Sequence, residues 1–402
     1  MSIRVKVATT PVELNHVYQL RYQVYAEEYA YMQKNPQRII MDMFDGMPDS
    51  YNIIAYDGET PVGTIRVVID GALRLPADQM YDFNQYRSQL IEQAQSQGLP
   101  IPLLANSGMF AIDARWRNRR DLFRSLFKLS CDIGEARGVT DIITTANIET
   151  LALYKRMGLK ALGAQIRHEH ISVSMVPMHC SMAQITKWAF GGPRTHSKLT
   201  ELFALCYEYL LVSAGTPIFN ATDENPDEAY LISSGAIGIT MDTTTMQQDF
   251  DLATLTAGEL FGESCLIDEQ PRKVNATAIV NTDLMVLNKK EFWQKVNQDQ
   301  SFMKAVLKVM DQKLRDVGRR ALIYAHASQE ERLQFFLEQL AKTAQPMLKK
   351  PHQRVVRMGG HAFSVISGVE RDESQAFLEQ QAKTGSIGLT ENSIVFYSEA
   401  RS

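Results

Sequence analysis

The chain has 402 residues, of which 45% are hydrophobic and 22% are charged, and its formal net charge is -4 at pH 7. These values are typical of globular proteins and exclude wholesale disorder and fibrous repeats, and the length predicts two to four domains. A net charge near zero gives no general attraction to nucleic acid. Four cysteines without Cys-x-x-Cys spacing argue against a disulfide scaffold or a cysteine-bound metal, and no apolar stretch approaches the roughly 20 residues of a membrane span. We therefore predict a cytoplasmic protein without a membrane span or a metal.

Strands alternate with helical patterns up to residue 188, which predicts an α+β domain built on a mixed sheet with helices. Gly58 lies in a short turn between two apolar runs, so the two strands are expected to form a hairpin. Gly138 and Gly158 each follow a helical pattern and are expected to end a helix. The predicted strands are 52–56, 61–69, 108–113 and 141–145, and the predicted helices are 122–137 and 148–157.

A break falls at residues 189–198, where paired glycines precede Pro193. From 209 to 287, short apolar runs alternate with turn residues, which predicts an all-β unit. A helical stretch at 289–323 and another at 329–342 follow. The apolar face predicted for the first of these contains Phe302, Val306, Val309, Met310, Lys313 and Val317. The predicted domains are 1–188, a linker 189–198, a β unit 199–290, a long helix 291–327 and a C-terminal domain 328–402.

Several sequence blocks of the N-terminal domain carry chemistry. They are Leu20-Arg21-Tyr22-Gln23-Val24-Tyr25, Asp42-Met43-Phe44-Asp45, Gly63-Thr64-Ile65-Arg66, Ser107-Gly108-Met109-Phe110-Ala111-Ile112-Asp113 and the stretch 147–158 with Asn147, Tyr154 and Gly158. In this order they resemble the acyltransferases that make acyl-homoserine lactone signals and, more broadly, the N-acyl amino acid synthases, over about residues 3–185. The resemblance implies a GNAT-like fold and the transfer of an acyl group from a thioester to an amine.

The same resemblance implies site residues. Tyr154 lies on the helix where GNAT enzymes carry the tyrosine that protonates the leaving thiolate, so we predict it as general acid; packing in a helix–sheet core is the alternative. Asp42 and Asp45 are predicted to face the amine together, binding its ammonium or relaying its proton, against the alternative of a solvated acidic turn. The residues predicted to bind substrate are Arg21, Arg66, Phe110 and Asn147. Either arginine equally fits a surface ion pair.

The segment 115–120 lacks the glycine-rich loop with which GNAT enzymes cradle the phosphates of coenzyme A. It carries four arginines instead, of which Arg117, Arg119 and Arg120 are predicted to hold the phosphates of acyl-CoA or to receive an acidic acyl carrier protein (acyl-ACP). A solvated basic loop is the alternative. Asn106 and Met109 stand where acyl-homoserine lactone synthases have Glu and Arg. We therefore predict N-acylation of another amine, for example an amino acid.

Residues 198–290 contain Gly215-Thr216-Pro217-Ile218-Phe219, Gly258-Glu259-Leu260-Phe261-Gly262-Glu263 and Pro271-Arg272. These blocks resemble the cyclic nucleotide-binding β-roll. The resemblance implies that Glu263 accepts a hydrogen bond from the ribose 2′-hydroxyl and that Arg272 holds the cyclic phosphate. The other cassette residues are Gly262, Ala276 and Thr277. Because an apparent two-residue insertion follows the arginine, both cAMP as effector and a roll without nucleotide stay open.

The remaining sequence extends the resemblance to transcription regulators of the catabolite-activator type (CRP/FNR-like). The helix at 291–327 stands where that family dimerises, which predicts a homodimer. Residues 362–378, with Gly368 at the turn, are similar to a helix-turn-helix, and 383–387 with 393–396 to its wing; Arg371 and Gln375 would contact DNA. Residues 349–402 carry seven basic and six acidic side chains, a weak charge for DNA binding. A degenerate winged helix is the alternative.

The overall prediction is a multidomain α+β protein with a GNAT-like acyltransferase domain, a cyclic-nucleotide-binding β-roll with its long helix, and a C-terminal winged helix. We predict an enzyme, an N-acyltransferase regulated by the fused nucleotide-sensing module. The alternative is a CRP/FNR-like DNA-binding transcription regulator whose GNAT-like domain senses an acyl ligand without catalysis.

Overall fold

The computed structural model describes residues 2–168, 171–190, 207–224, 226–243, 248–268, 270–298, 300–347, 350–356 and 358–397. The chain divides into two compact units, Ile3–Arg194 and Thr195–Ser402, the second together with Met1–Ser2. Most of the predicted linker, residues 191–198, lies outside the described residues. Each unit buries apolar clusters of its own.

The first unit is an α+β domain. Its strands are β1 (Ser2–Val7), β2 (Ser50–Asp57), β3 (Thr60–Ile69), β4 (Leu104–Ile112), β5 (Asp141–Asn147), β6 (Lys160–Ala161), β7 (Ile166–His168) and β8 (Ile171–Ser181). Its helices are α1 (Pro11–Tyr22), α2 (Asn84–Ser96), α3 (Arg120–Ala136), α4 (Leu151–Arg156) and α5 (Met182–Phe190). The sheet order is β1-β2-β3-β4-β5-β8-β6, with β7 paired to β8. β4 and β5 are parallel, whereas the other pairs are antiparallel. The predicted mixed sheet is therefore confirmed.

Local sequence sets where these elements begin and end. The hydroxyl of Thr10 accepts a hydrogen bond from the backbone N–H of Glu13 at 3.3 Å, and the Glu13 carboxylate accepts one from the N–H of Thr10 at 3.0 Å. This reciprocal cap starts α1. Gly58 turns the predicted hairpin with a φ of 57°, a conformation that glycine adopts without strain. The predicted strand at 108–113 begins earlier than expected, at Leu104.

Helix α3 packs closely on β3. Its buried apolar face includes Leu122, Leu126 and Ile133. A Cβ at Gly63 would come within 3.1 Å of the Leu126 side chain, so glycine at this position lets the helix lie close to the sheet. The arginine-rich loop connects the end of β4 to this helix.

The second unit begins with two antiparallel four-stranded sheets. Its strands are β9 (Tyr207–Val212), β10 (Pro217–Phe219), β11 (Glu228–Ser234), β12 (Ala236–Thr243), β13 (Gln248–Thr256), β14 (Leu260–Phe261), β15 (Asn275–Ala278) and β16 (Thr282–Asn288). The orders are β14-β11-β16-β9 and β10-β15-β12-β13. Side chains of both sheets, such as Phe219, Ile237 and Leu284, share one core. The all-β prediction is confirmed, apart from the short helix α6 (Ser264–Ile267).

The predicted helix at 289–323 is two helices, α7 (Lys289–Gln298) and α8 (Gln300–His326), and α9 (Gln329–Thr343) follows. The expected apolar face is also partly wrong. Phe302 and Val306 are buried within the chain, and the Phe302 ring lies 5.8 Å from that of Phe292. The side chain of Val309 lies outside the described residues. The exposed apolar residues of α8 are Leu307, Leu314, Val317 and Leu322. The helical spacing of apolar residues in the sequence did not distinguish the face of α8 that packs within the chain from the face that is exposed.

The C-terminal part of the second unit contains helices α10 (Gly360–Ser367) and α11 (Arg371–Lys383). Strands β17 (Gln345–Met347), β18 (Lys350–Val356), β19 (Ile387–Thr390) and β20 (Ser393–Tyr397) form a sheet in the order β17-β18-β20-β19. Gly368 ends α10 with a φ of 61°. The two predicted helices around Gly368 and the following hairpin are confirmed as elements.

Candidate functional site

Strands β4 and β5 separate at the centre of the first unit. They pair only from Leu104–Asp141 to Asn106–Ile143, whereas β4 continues along β3 as far as Ile112. Within the unpaired part, Met109 has a φ of 49°, and the register of β4 on β3 shifts. A non-glycine residue in this left-handed region marks a bulge held by its surroundings. The bulge and the loss of pairing leave a gap between the two strands.

A cavity of about 1120 Å³ borders this gap. Methionine recurs along its apolar wall, and this flexible side chain adapts to irregular apolar ligands. The apolar lining includes Val24, Met32, Ile39, Ile40, Met41, Met80, Met109, Phe110 and Met175. The volume and the lining suit a ligand with a long apolar chain.

Tyr154 of α4 lines the cavity. It also borders a second, small cavity of about 20 Å³ between the sheet and α3. Burial raises the pKa of Tyr154 to about 12. The hydroxyl is therefore protonated at neutral pH, as a proton donor must be.

Tyr25 is a cavity residue to which the sequence analysis gave no role. Its hydroxyl donates to the carbonyl of Phe110 at 2.7 Å, which ties the bulged part of β4 to the turn of helix after α1. Burial raises the pKa of Tyr25, and the nearby Tyr154 raises it further. Tyr25 and Tyr154 line the same cavity, and Tyr25 holds the bulged part of β4.

Two arginines and two aspartates form a network beside the cavity. Arg21 donates to Asp45 at 2.9 Å and to Asn52. Arg66 holds both oxygens of Asp42, at 2.6 and 2.7 Å, and reaches Asp45 at 3.0 Å. The side chains of Arg21 and Asp45 are fully buried. Burial opposes ionisation of Asp45, but the guanidiniums of Arg21 and Arg66 outweigh it and lower the pKa of this carboxyl.

This network corrects three expectations. Neither arginine forms a surface ion pair, because both are buried. The acidic turn is not a solvated one, since Asp45 is enclosed. Asp42 and Arg66 line the cavity, whereas Asp45 and Arg21 lie outside its lining. Of the two carboxylates expected to face the amine, only Asp42 lines the cavity, whereas Asp45 is the buried counter-charge of Arg21.

Phe110 and Asn147 both line the cavity. The Phe110 ring meets that of Phe123 edge-on, at 5.2 Å between centroids. Asn147 accepts a hydrogen bond from the backbone N–H of Glu149 at 3.0 Å and so caps the 3-10 turn that leads into α4. Asn106, a further lining residue, donates to the carbonyl of Ile143 at 2.8 Å, which leaves its side-chain oxygen as an acceptor.

Two of the three arginines predicted to bind the acyl donor are paired with carboxylates. Arg117 pairs with Glu28, and Arg119 contacts Asp121 at 2.6 Å. Arg120 is exposed and has no ion pair among the described residues. Arg117 lines the cavity, whereas Arg119 and Arg120 do not. The positive charge available to a phosphate is therefore smaller than the count of arginines suggests.

Arg272 and Glu263, which are predicted to bind a nucleotide, form hydrogen bonds and an ion pair within the second unit. Arg272 is buried and donates to the carbonyls of Gly262 at 2.7 Å and Glu228 at 2.5 Å. Its guanidinium lies 4.2 Å from the ring centroid of Phe219. Its Nε is buried and without a hydrogen-bond partner among the described residues. A Cβ at Gly262 would come within 2.9 Å of Arg272, so glycine gives the guanidinium its place.

Glu263 connects this region to α8. Its carboxylate pairs with Lys313 at 2.5 Å. A second pair, between Glu259 and Arg320 at 2.7 Å, joins the same β segment to the same helix. The other two cassette residues, Ala276 and Thr277, lie on β15, where Ala276 is buried. Glu263 and Glu259 thus each link the β unit to α8 by an ion pair.

Comparison with known proteins matches the two halves of the chain to two different families. Residues 16–181 match the family model for the N-acyl amino acid synthase FeeM, and residues 210–299 match that of the cyclic nucleotide-binding domain. The chain joins a FeeM-type N-acyl amino acid synthase domain to a cyclic nucleotide-binding domain. The resemblance predicted from the sequence blocks is confirmed for both halves.

Individual relatives match only one half each. The cyclic AMP receptor protein of Thermus thermophilus is 25% identical over 183 residues, which are 44% of this chain and 84% of that protein. The structure of FeeM, an N-acyl amino acid synthase from uncultured soil microbes, is 18% identical and covers 46% of this chain and 92% of its own, with a TM-score of 0.36. The catabolite activator protein of Thermus thermophilus is 22% identical and covers 50% of this chain and 90% of its own, with a TM-score of 0.27.

Beyond the nucleotide-binding domain, α11 carries the residues predicted to contact DNA. Arg371 is its first residue and is exposed, and Asp372 and Glu373 follow in the same turn. The side chain of Gln375 donates to Glu379 at 2.9 Å. Arg371 therefore shares the first turn of α11 with two acidic residues, as its sequence neighbours indicated.

No described helix is long and apolar enough to cross a membrane. No group of three or more His, Cys, Asp or Glu side chains able to hold a metal was found in the part of the chain that the structure describes.

The synthase domain also brings together residues that the sequence did not connect. The Tyr31 hydroxyl donates to Glu149 at 2.6 Å, although 118 positions separate them. Both line the cavity. Glu149 lies within the block 147–158, but nothing local in the sequence pairs it with Tyr31.

Proposed function

We propose that the synthase domain transfers an acyl group from acyl-CoA or acyl-ACP to a primary amine, and that the second unit regulates this reaction by binding cAMP. The observation that carries the first part is the single cavity that reaches from Tyr154 to the Asp42–Arg66 pair along a methionine-rich wall. An acyl chain fits the apolar wall, and an amine fits the polar groups at the gap.

The chemistry assigns a task to each group. The amine nitrogen attacks the thioester carbonyl, a C–N bond forms, and the C–S bond breaks. Backbone N–H groups of β4 in the unpaired segment after Asn106 stabilise the oxyanion. Tyr154 donates its proton to the thiolate as the C–S bond breaks, and its raised pKa keeps the hydroxyl protonated until that step. The proton that the attacking nitrogen loses passes to Asp42, which Arg66 holds at the cavity, and from there to water.

The acyl donor enters from the arginine-rich loop. Arg117 lies on the cavity lining, and Arg120 is exposed and without an ion pair in the described part of the chain. These two arginines, with Arg119, contact the phosphates of coenzyme A or of the carrier's prosthetic group. Comparing turnover of acyl-CoA with that of acyl-ACP identifies the carrier.

Thiol release tests the catalytic proposal. Tyr154→Phe removes the acid and keeps the ring, so we expect the rate of thiol release to fall about 100-fold or more, the range of general acid catalysis. Tyr51→Phe, at a tyrosine outside the cavity lining, is the matched control and retains the wild-type rate. A Tyr154→Phe variant with the wild-type kcat overturns the role of Tyr154, and a wild-type chain that releases no thiol from any donor overturns acyl transfer.

The regulatory part rests on Glu263 and Arg272. The ion pairs of Glu263 and Glu259 with α8 support a path from the nucleotide to this helix. Calorimetric titration with cAMP measures binding, and Glu263→Gln is expected to weaken it. Full-length protein with equal acyl transfer in the presence and absence of cAMP overturns the regulation.

The second unit forms a homodimer through α8. Leu307 and Leu314 are 61% and 73% exposed. Because seven residues span two helical turns, both lie on one face. Small exposed residues, Gly318 and Ala321, continue that face. A long helix with an unpaired apolar face packs against its twin.

A second function, DNA binding with an N-terminal domain that senses an acyl ligand, is favoured by one observation. Helices α10 and α11 meet at Gly368 and are followed by the β19–β20 hairpin, an order of elements typical of a winged helix. The exposed Arg371 is its base-contacting residue. A gel shift on genomic fragments at physiological salt, with Arg371→Ala as comparison, tests it. A shift combined with absent thiol release supports this function over the first.

A further inference from the structure

Two side chains form hydrogen bonds across the gap between β4 and β5. The amide nitrogen of Asn106 donates to the carbonyl of Ile143 at 2.8 Å, and the hydroxyl of Thr144 donates to the carbonyl of Ser107 at 2.8 Å. Asn106 and Ile143 are the last paired residues of the two strands, so these side-chain donors come where the backbone pairing ends. Asn106 is 6% exposed and Thr144 is 4% exposed. Burial and a hydrogen bond therefore hold both side chains in place.

The bond to Ile143 fixes the orientation of the Asn106 amide. Because the amide nitrogen is the atom that donates to a carbonyl, the oxygen Oδ1 is the other end of the group. Oδ1 lies 3.4 Å from the position that a Cβ on Gly108 would take. The described residues give Oδ1 no donor, and Asn106 lines the cavity. The amide thus presents a hydrogen-bond acceptor to the cavity beside the unpaired segment of β4.

Asp42 is held on the same face of the sheet as this amide. Gly108 lies opposite Arg66 in the pairing of β3 with β4, and Asn106 is two residues earlier on β4, so the three positions share one face. Arg66 holds both oxygens of Asp42, at 2.6 and 2.7 Å. All four residues line the cavity. The carboxylate proposed to take the proton of the amine and the amide oxygen of Asn106 therefore border the same part of β4.

From these contacts we infer that Oδ1 of Asn106 accepts a hydrogen bond from the attacking nitrogen and makes the synthase domain selective for primary over secondary amines. This inference rests on the proposed acyl transfer. A neutral primary amine has two N–H groups. As the C–N bond forms, one proton passes to Asp42 and the other N–H donates to Asn106, while the thiolate leaves with the proton of Tyr154.

A secondary amine cannot meet both demands. Its single N–H gives its proton to Asp42, so the substrate has no donor for Asn106. An uncharged acceptor also suits the reaction, because a carboxylate at this place would favour the ammonium form, which has no lone pair for attack. Amino acids with a free amino group therefore satisfy the site, whereas their N-methyl derivatives do not.

The test compares amino acids with their N-methyl derivatives in the full-length chain. Alanine, leucine and phenylalanine are the probes, and thiol release gives kcat/KM for each member of a pair. Asn106→Leu keeps the approximate size of the side chain but removes the acceptor, so it opens no additional room for a methyl group. Loss of one hydrogen bond predicts that the preference for the primary amine falls about fivefold in this variant. Asn106→Ala is expected to give a similar fall, and the KM for the acyl donor stays at its wild-type value in both variants.

Thr144→Val is the matched control, because it removes the other side-chain hydrogen bond across the gap with little change in volume. A change in the shape of the gap alters kcat/KM for both members of a pair alike, so Thr144→Val is expected to keep the wild-type preference. An unchanged preference in both Asn106 variants, or an equal fall in Thr144→Val, overturns this inference while acyl transfer stands.

Calorimetric titration of the three amino acids without an acyl donor gives a second measurement, independent of turnover. We expect weaker binding to Asn106→Leu than to wild type and to Thr144→Val. That result without thiol release from any donor overturns acyl transfer and keeps Asn106 as an amine-binding residue. Equal binding to all three forms without thiol release overturns both proposals.

Discussion

Replacing Asp45 by asparagine removes the buried counter-charge that Arg21 and Arg66 share. Asp45 accepts from Arg21 at 2.9 Å, from Arg66 at 3.0 Å and from the backbone N–H of Asp42 at 2.9 Å. Without it, Arg66 keeps Asp42, but the fully buried Arg21 loses its carboxylate partner and has only neutral amide oxygens as side-chain acceptors among the described residues. Removing one member of a buried ion pair costs about 3–5 kcal/mol. We expect the free energy of unfolding of the synthase domain to fall by that amount.

Asp42→Asn is the matched comparison. Its side chain is 33% exposed, and after the substitution Arg66 still contacts Asp45. Water also solvates this edge of the network, so the expected loss is about 1 kcal/mol. The same aspartate-to-asparagine change is therefore expected to lower the free energy of unfolding more at Asp45 than at Asp42, because Asp45 is buried and Asp42 is partly exposed.

Tryptophan fluorescence can follow the synthase domain alone. The chain has three tryptophans: Trp116 and Trp188 in the first unit and Trp293 in the second. In a Trp293→Phe background, urea denaturation reports on the first unit. Asp45→Asn should then shift the midpoint to lower urea without changing the slope. A loss no larger than that of Asp42→Asn would refute the argument that Asp45 is the essential counter-charge.

Three further predictions follow from contacts described above. Leu314→Glu on the exposed face of α8 should convert the proposed dimer to a monomer in analytical ultracentrifugation, whereas Gln312→Glu, with the same charge change, should not; a wild-type monomer would overturn the proposed dimer. Lys313→Met should raise cAMP affinity roughly twofold to fivefold in calorimetry, because it frees Glu263 from a partly exposed ion pair; an unchanged affinity relative to Lys308→Met counts against competition by Lys313. The lowered pKa of Asp45 means that its contribution to stability is complete above the unfolded carboxyl value of about 3.9 and is lost as pH falls through the lower folded value. Urea midpoints measured from pH 6 to pH 2 should therefore fall more steeply in wild type than in Asp45→Asn.

The elements of the fold were largely predictable because their signals are local. Gly58 and Gly368 mark turns, and both have positive φ angles. Helix 122–137 carries its own apolar face and appears as α3. The error on α8 has a physical cause, since Phe302 and Leu314 are equally apolar and only tertiary packing decides which one is buried.

The site was less predictable, because long-range contacts decide it. Sequence placed Asp42 and Asp45 together as neighbours of an amine, but Arg21 and Arg66 from distant positions determine which of them reaches the cavity. The pairing of Tyr31 with Glu149 has no sequence signal at all. The family motifs therefore located the region of the cavity. Burial and ion pairing, which the sequence does not show, decide which of the predicted residues line it.

Arg66 has one side in the ionic network and another on the cavity lining, so folding and ligand recognition place demands on the same guanidinium. In a related chain that had lost activity, selection for a folded domain alone would still preserve Arg21, Asp45 and Arg66. Retention of these three residues in a homologue would therefore indicate a folded domain and would not by itself indicate activity. Under the proposed acyl transfer, the fate of Tyr154, which the ionic network does not include, is the better guide to whether a homologue still turns over substrate.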